Sequence, residues 1–201
     1  MGEFSLDVSR ETLDKLEAFT ALVQKWTVKI NLISKASVAS VWERHIMDSA
    51  QIFDLAPPAG HWVDLGSGGG FPGIVVAILS QGKGGHHDIT LVESDQRKSV
   101  FLRTAIRELD LNAKVISERI ESIPRLNADI LSARALADLT DLFGYASRHL
   151  SPAGVALFPK GEQWEKEVKS TRELWSYEVD PIKSTSNPKA AILKIKDIVR
   201  V

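Results

Sequence analysis

Residues 61–73, HWVDLGSGGGFPG, run a short apolar strand directly into a glycine-rich turn and then a proline. Two registers fit the turn. In one, Gly68, Gly70 and Gly73 spell G-x-G-x-x-G, the pattern that brings backbone close to a pyrophosphate at a helix N-terminus. In the other, Asp64 closes the strand and Gly66 opens the loop. A carboxylate there suits a cofactor that carries positive charge and an adenosine, because beside phosphate oxygens it would be repelled. Glycines crowd a helix start at a cost, so close backbone approach to a ligand explains them better than a bare turn does.

The chain around this loop sets the class of fold. From residue 61 onward, apolar strands alternate with helical patterns: HWVDLG, PGIVVAILS, DITLVES, QRKSVFLRTAIREL, AKVISER, ADILSARA, LTDLFGYASRHL and VALFPKG. That rhythm predicts a parallel α/β sheet. Towards the end SYEVDPI and AAILKIKDI flank STSNPK and predict an antiparallel pair. Before the sheet, Leu13, Leu16, Phe19, Thr20, Val23 and Trp26 recur at helical spacing over residues 9–30, with Ser9 as the N-cap. A second helix is expected over VASVWERHIMDSAQIF, stopped by PPAG at 57–60. QGKGGHHD, with His86 and His87, reads as an exposed linker.

Composition narrows the setting. With 201 residues and 44% hydrophobic content, one domain with an appendage can bury a substantial core. No apolar run of about 18 residues is present and the N-terminus lacks a secretory pattern, so a cytoplasmic protein is expected. The chain has no cysteine, which excludes disulfides, thiolate nucleophiles and thiolate metal ligands. No His, Asp or Glu grouping has metal-ligand spacing. The net charge of −1 hides a local sign change. Residues 1–24 carry five acids, Glu3 among them, against two bases, whereas in 25–45 Lys25, Lys29, Lys35 and Arg44 face Glu43 alone. A second basic stretch, 97–125, sets seven cations against four acids. A solvated helix face or an RNA-binding patch would each explain these runs.

Ligands of open α/β sheets sit beyond the carboxyl ends of the strands, where Gly66–Gly73 lies. Glu93 closes the second strand and can accept two ribose hydroxyls, whether from NAD or S-adenosylmethionine. Asp64, the antiparallel C-terminal pair and the lack of a second domain to hold a hydride acceptor all favour a methyltransferase over a dehydrogenase.

NLIS at 31, HIMDS at 45, DLGSGGGFPG at 64, LVESDQRKSVFL at 91, ARA at 133 and FPKG at 158 occur in the order and spacing of one family. The chain resembles the bacterial small-subunit ribosomal RNA methyltransferase G family, also called glucose-inhibited division protein B. The likeness is dense over about 13–161 and weaker beyond. It implies a class I, Rossmann-like methyltransferase with a mostly parallel seven-stranded sheet and a C-terminal antiparallel pair. Residues 1–58 would form a helical cap and 59–201 the S-adenosylmethionine-binding domain, together one compact unit. The implied reaction moves a methyl group from S-adenosylmethionine to N7 of a guanine in 16S small-subunit ribosomal RNA, presented as RNA or as the 30S subunit, with the protein acting as a monomer and away from membranes. Two positions depart from the family pattern. Ser-Arg-Ala is usual after the fourth strand, but here Ala133 precedes Arg134 and the hydroxyl moves to Ser132; Lys189 stands where an arginine is usual.

On this resemblance Gly66, Ser67 and Gly68 would pass under the methionine part of the cofactor, with Phe71 nearby, Glu93 on the ribose, and Ile120 and Glu121 at the adenine. Arg134 would clamp the methionine carboxylate or hold guanine O6, and Lys160 would read O6. His45 is the catalytic candidate beside Arg134, since His45, Asp48 and Ser49 share one helical face. Asn31 and Asp48 are expected to bind substrate. A methyltransferase of this fold acting on a small molecule or a protein, and a non-catalytic RNA-binding module, are the competing readings; S-adenosylmethionine binding by the free protein separates the enzymes from the module.

Overall fold

The computed structural model describes residues 6–201; residues 1–5, the start of the expected cap with Glu3, lie outside the described residues. Helix α1 (Arg10–Ile30) starts where the Ser9 hydroxyl accepts the Thr12 N–H at 3.2 Å. It stops at Asn31, whose left-handed backbone (φ 49°) lets its N–H reach Thr27 O. Its buried stripe, Thr12, Leu16, Phe19, Val23 and Thr27, repeats every three or four residues, as an amphipathic helix requires.

The expected second helix is broken into three. A 3₁₀ segment (Lys35–Ser40) is followed by a π-helical turn (Trp42–Ile46) and then by α2 (Met47–Asp54). Serine hydroxyls bond locally along this stretch. Ser34 and Ser37 bond to each other at 2.7 Å, and the Ser49 hydroxyl donates to His45 O at 2.6 Å. The π turn carries His45, in keeping with the tendency of such turns to occur at functional sites.

The remaining elements alternate as the sequence predicts: β1 (Ala59–Leu65), α3 (Gly73–Gly82), β2 (His86–Val92), α4 (Gln96–Glu108), β3 (Ala113–Ile116), a 3₁₀ turn (Ile120–Ser122), β4 (Ala128–Ala133), α5 (Leu139–His149), β5 (Leu150–Lys160), α6 (Trp164–Thr171), β6 (Trp175–Lys183) and β7 (Ala191–Arg200). Helix α6 escaped the sequence reading. Among the described residues seven strands lie in the order β3-β2-β1-β4-β5-β7-β6, and of these β7 alone runs against its neighbours. The mostly parallel sheet with its C-terminal antiparallel pair is therefore borne out.

Period-two alternation divides the core between the two faces of the sheet. Trp62, Leu91, Ile130 and Leu157 pack with α1, α3 and α4, while Val63, Val92, Leu131 and Phe158 pack with α5. Helix α1 belongs to the first of these clusters: Phe19 stacks on Phe101 of α4 and Trp26 meets the same ring at a tilt, with centroids 6.4 and 5.7 Å away.

Both histidines of the expected linker lie in β2. His87 is a buried strand residue, because its two ring nitrogens bond to Ser80 Oγ and Pro57 O, each at 2.9 Å, and its ring meets Trp62 edge-on. His86 is exposed. No helix among the described residues is long and apolar enough to cross a membrane.

Candidate functional site

Successive strands are added on one side of β1 and then, from β4, on the other, so the carboxyl ends of these two strands flank a crevice. A cavity of about 860 Å³ opens there. Gly66–Gly69 and Phe71 line it from the loop, Arg134 and Lys160 from the ends of β4 and β5, Arg44, His45 and Asp48 from the cap, and Ser184, Ser186 and Asn187 from the β6–β7 turn. That volume lies in the upper part of the range for small-molecule sites.

The glycine loop takes its shape from left-handed backbone at Gly66 (φ 65°) and from hydrogen bonds behind it. Glu93, nearly buried, accepts the Gly68 N–H at 2.9 Å and the Asp95 N–H at 2.8 Å. Its carboxylate thus ties β2 to the loop instead of lining the cavity.

Asp64 departs from the reading of a carboxylate facing a cationic cofactor. It is 0% exposed and points into the protein, accepting from Ser132 Oγ at 2.7 Å and from Gly73 N at 3.3 Å. The Trp62 indole in turn donates to Ser132 at 2.9 Å, so the displaced hydroxyl is locked in the core. Burial pushes Asp64 up to about 6, against the pull of these hydrogen bonds. Between about pH 4 and 6 the folded state keeps a proton on Asp64 that the unfolded chain has released, so stability falls as pH rises through that window. Urea unfolding should show the wild type losing of order 2–3 kcal/mol relative to Asp64→Asn across it. Parallel pH profiles for the two proteins would contradict this.

Arg134 and His45 form the centre of the site. An Arg134 N–H donates to His45 Nδ1 at 2.7 Å, and the guanidinium lies 5.0 Å over the Phe71 ring. His45 stacks on the same ring, with centroids 4.9 Å apart. Arginine has only donors, so His45 Nδ1 must be the acceptor and its proton sits on Nε2. Burial, with the charges of Arg134 and Arg44, lowers His45 to about 3. His45 is neutral near pH 7. Arg134 is lowered by burial to about 10 and stays charged, yet among the described residues no carboxylate lies within ion-pairing distance of it. A desolvated cation without an anion is costly unless a ligand supplies one.

The other expected site residues divide. Asp48 borders the cavity and takes the Ser186 hydroxyl, and burial raises its carboxyl above the usual range. Ser67 also borders the cavity and is held by its hydroxyl to Asp64 O at 2.9 Å. Lys160 borders it too but is paired with Glu167 at 2.6 Å. Ile120 and Glu121 are not brought to it, since β3 is two strands away from β1: Ile120 packs in the core and Glu121 accepts the Tyr145 hydroxyl at 2.8 Å. Asn31 is exposed at the end of α1, immediately before Leu32, which does border the cavity. Lys189 pairs with Glu162 at the surface. Arg44 was recognised only as one charge in a basic run, and Glu167 was missed. A Trp164, Val168, Thr171 spacing could have revealed the helix that carries Glu167. No group of three His, Asp or Glu side chains able to hold a metal occurs among the described residues.

Comparison with known proteins bears on this site. The family model described as rRNA small subunit methyltransferase G matches residues 12–192. A protein of Ruegeria sp. (strain TM1040) named ribosomal RNA small subunit methyltransferase G is 54% identical over 200 residues, covering 100% of this chain and 98% of its own length. One of the same name from Ruegeria pomeroyi is 52% identical, covering 98% and 97%. Among solved structures, a putative S-adenosyl-L-methionine-dependent methyltransferase from Methanococcus maripaludis superposes with a TM-score of 0.59 at 15% identity, covering 98% and 99% of the two chains. A SAM-dependent methyltransferase from Aquifex aeolicus gives 0.62 at 12% identity, covering 89% and 98%. These two likenesses support the class I methyltransferase fold.

Proposed function

The chain belongs to the rRNA small subunit methyltransferase G family, and from that membership we propose that it transfers a methyl group from S-adenosylmethionine to N7 of a guanine in small-subunit ribosomal RNA. The contact between Arg134 and His45 carries the reading. It sets a charged guanidinium at the switch point that has no carboxylate within ion-pairing distance among the described residues, suited to the methionine carboxylate, and it occupies the lone pair with which His45 could act as a base.

The residues present fit that cofactor. Gly66 offers bare backbone at a point where a Cβ would run into Leu136, Glu93 braces the loop through the Gly68 N–H, and Phe71 gives an apolar wall. When bound, S-adenosylmethionine supplies an electrophilic methyl on a sulfonium. Guanine N7 carries an in-plane lone pair and loses no proton on methylation, so the chain has only to align two partners and keep water out. Positioning of this kind can lower a barrier by up to about 7–11 kcal/mol. Asp48 offers the acceptor that a guanine's N1–H and amino group need, while exposed Arg44, Lys25, Lys29 and Lys35, in no ion pair among the described residues, suit phosphates.

A pH profile tests the chemistry. Single-turnover methyl transfer should be nearly flat from about pH 6.5 to 8.5, because no histidine of the site titrates there. His45→Gln, whose amide oxygen can still accept from Arg134, should slow transfer without changing that shape. A rate rising about tenfold per pH unit, with the slope lost in His45→Gln, would establish base catalysis and a proton-bearing target instead of N7. RNA affinity should fall steeply with salt, and charge reversal at Lys29 with Lys35 should raise the RNA KM while leaving cofactor affinity alone. Equal losses of both would point to misfolding.

A further inference from the structure

The five residues that follow β4, Arg134–Asp138, lie between the glycine loop and the end of β5. Lys160 donates to Ala137 O at 3.1 Å and to Glu167 at 2.6 Å. The same Glu167 oxygen, Oε2, accepts the Leu139 N–H at 2.9 Å, one of the otherwise unpaired donors at the start of α5. Lys160 and Glu167 are both part-buried at the border of the cavity, with side chains 11% and 26% exposed. At the other end of the segment Arg134 is anchored to His45. Between the anchors, Ala135 is held in left-handed backbone (φ 52°), which a residue with a Cβ adopts at a cost. Leu136 packs so closely over the glycine loop that a Cβ on Gly66 would lie 2.6 Å from its Cδ1. Strained backbone persists where surrounding contacts over-determine it, and here those contacts converge on the segment that carries Arg134.

We propose that Lys160 and Glu167 are positioning residues: their ion pair fixes the β4–α5 segment, and with it the Arg134 guanidinium and the Leu136 roof over Gly66. This replaces the expectation that Lys160 reads guanine O6. Two of its three N–H groups are spent on Ala137 and Glu167. The inference rests on the reading of Arg134 as a cofactor residue, and it extends that reading to a carboxylate on a helix whose sequence showed no site.

The test compares the full chain with Lys160→Met, Glu167→Gln, the double variant and Lys160→Arg. In the ligand-free proteins, amide hydrogen exchange over 135–140 should accelerate in Lys160→Met and in Glu167→Gln, with β4 amides unchanged, and return towards wild type in Lys160→Arg. By calorimetry each single neutral variant should bind S-adenosylmethionine about tenfold more weakly, the double variant no more weakly than either, and Lys160→Arg within about threefold of wild type. The RNA KM at saturating cofactor should stay within about twofold. Additive losses in the double variant, or unchanged loop exchange in Glu167→Gln, would overturn the pairing. So would Lys160→Met raising only the RNA KM while Glu167→Gln is silent, since that pattern assigns Lys160 to RNA. Wild-type protein that fails to bind S-adenosylmethionine would refute the cofactor reading instead, and the exchange measurement would still decide the role of the pair.

Discussion

Arg134→Met should abolish efficient methyl transfer while leaving the protein as stable as wild type or more so. The guanidinium is desolvated, sits over Phe71 and donates to a neutral imidazole, and among the described residues it has no carboxylate partner. In the ligand-free protein that charge costs stability, and an apolar side chain of similar length relieves the cost. With cofactor bound the same charge would face a carboxylate. Losing one partner of a buried charge pair costs about 2–5 kcal/mol, which is roughly 30- to 5,000-fold in S-adenosylmethionine affinity. Arg134→Lys should recover only part of this, because an ammonium keeps the charge without the planar fork. Calorimetric affinity together with a thermal melt checks both halves. Unchanged affinity would remove Arg134 from the site, and a large drop in Tm would make it a structural residue.

Gly66→Val should be nearly as damaging, by a different route. Gly66 has φ 65°, a conformation that a β-branched residue adopts only under strain, and its Cβ would meet Leu136. Left-handed backbone costs about 1–2 kcal/mol and overpacking about 1–3 kcal/mol, so the loop should lose its shape and cofactor binding should disappear together with several degrees of Tm. Gly68→Ala makes the control. Gly68 also has positive φ, but a Cβ there meets nothing closer than Gly66 O at 3.7 Å, so only the backbone cost applies to folding. Gly66→Val with normal Tm and normal affinity would mean that the loop neither packs under Leu136 nor serves the cofactor.

What the sequence made legible was local. Ser9 as a cap, the stripe from Leu16 to Val23, the strands, the glycine loop and the closing hairpin all announce themselves within a dozen residues, and they were found as expected. The misreadings share a cause in contacts made by residues distant along the chain. His87 looked exposed beside Gly84 and Gly85, but Pro57, Trp62 and Ser80 enclose it. Asp64 looked like a cofactor contact, but Ser132, 68 positions away, turns it inward. Glu167 went unseen because helix α6, which brings it to Lys160, was not recognised. The second helix is broken into 3₁₀, π and α segments, a change of winding that hydrophobic periodicity does not register.

The atom that receives the methyl group defines the reaction. Small ribosomal subunits and protein-free small-subunit RNA, each taken from cells lacking this protein, should be incubated with the pure protein and S-adenosylmethionine labelled in its methyl group. The product is then mapped by strand cleavage specific for 7-methylguanine and by mass spectrometry of nucleosides. Label is expected at a single guanine as 7-methylguanosine, dependent on Arg134. Label on an exocyclic amine or a ribose hydroxyl, or no transfer to either substrate from protein that binds the cofactor, would contradict N7 as the acceptor.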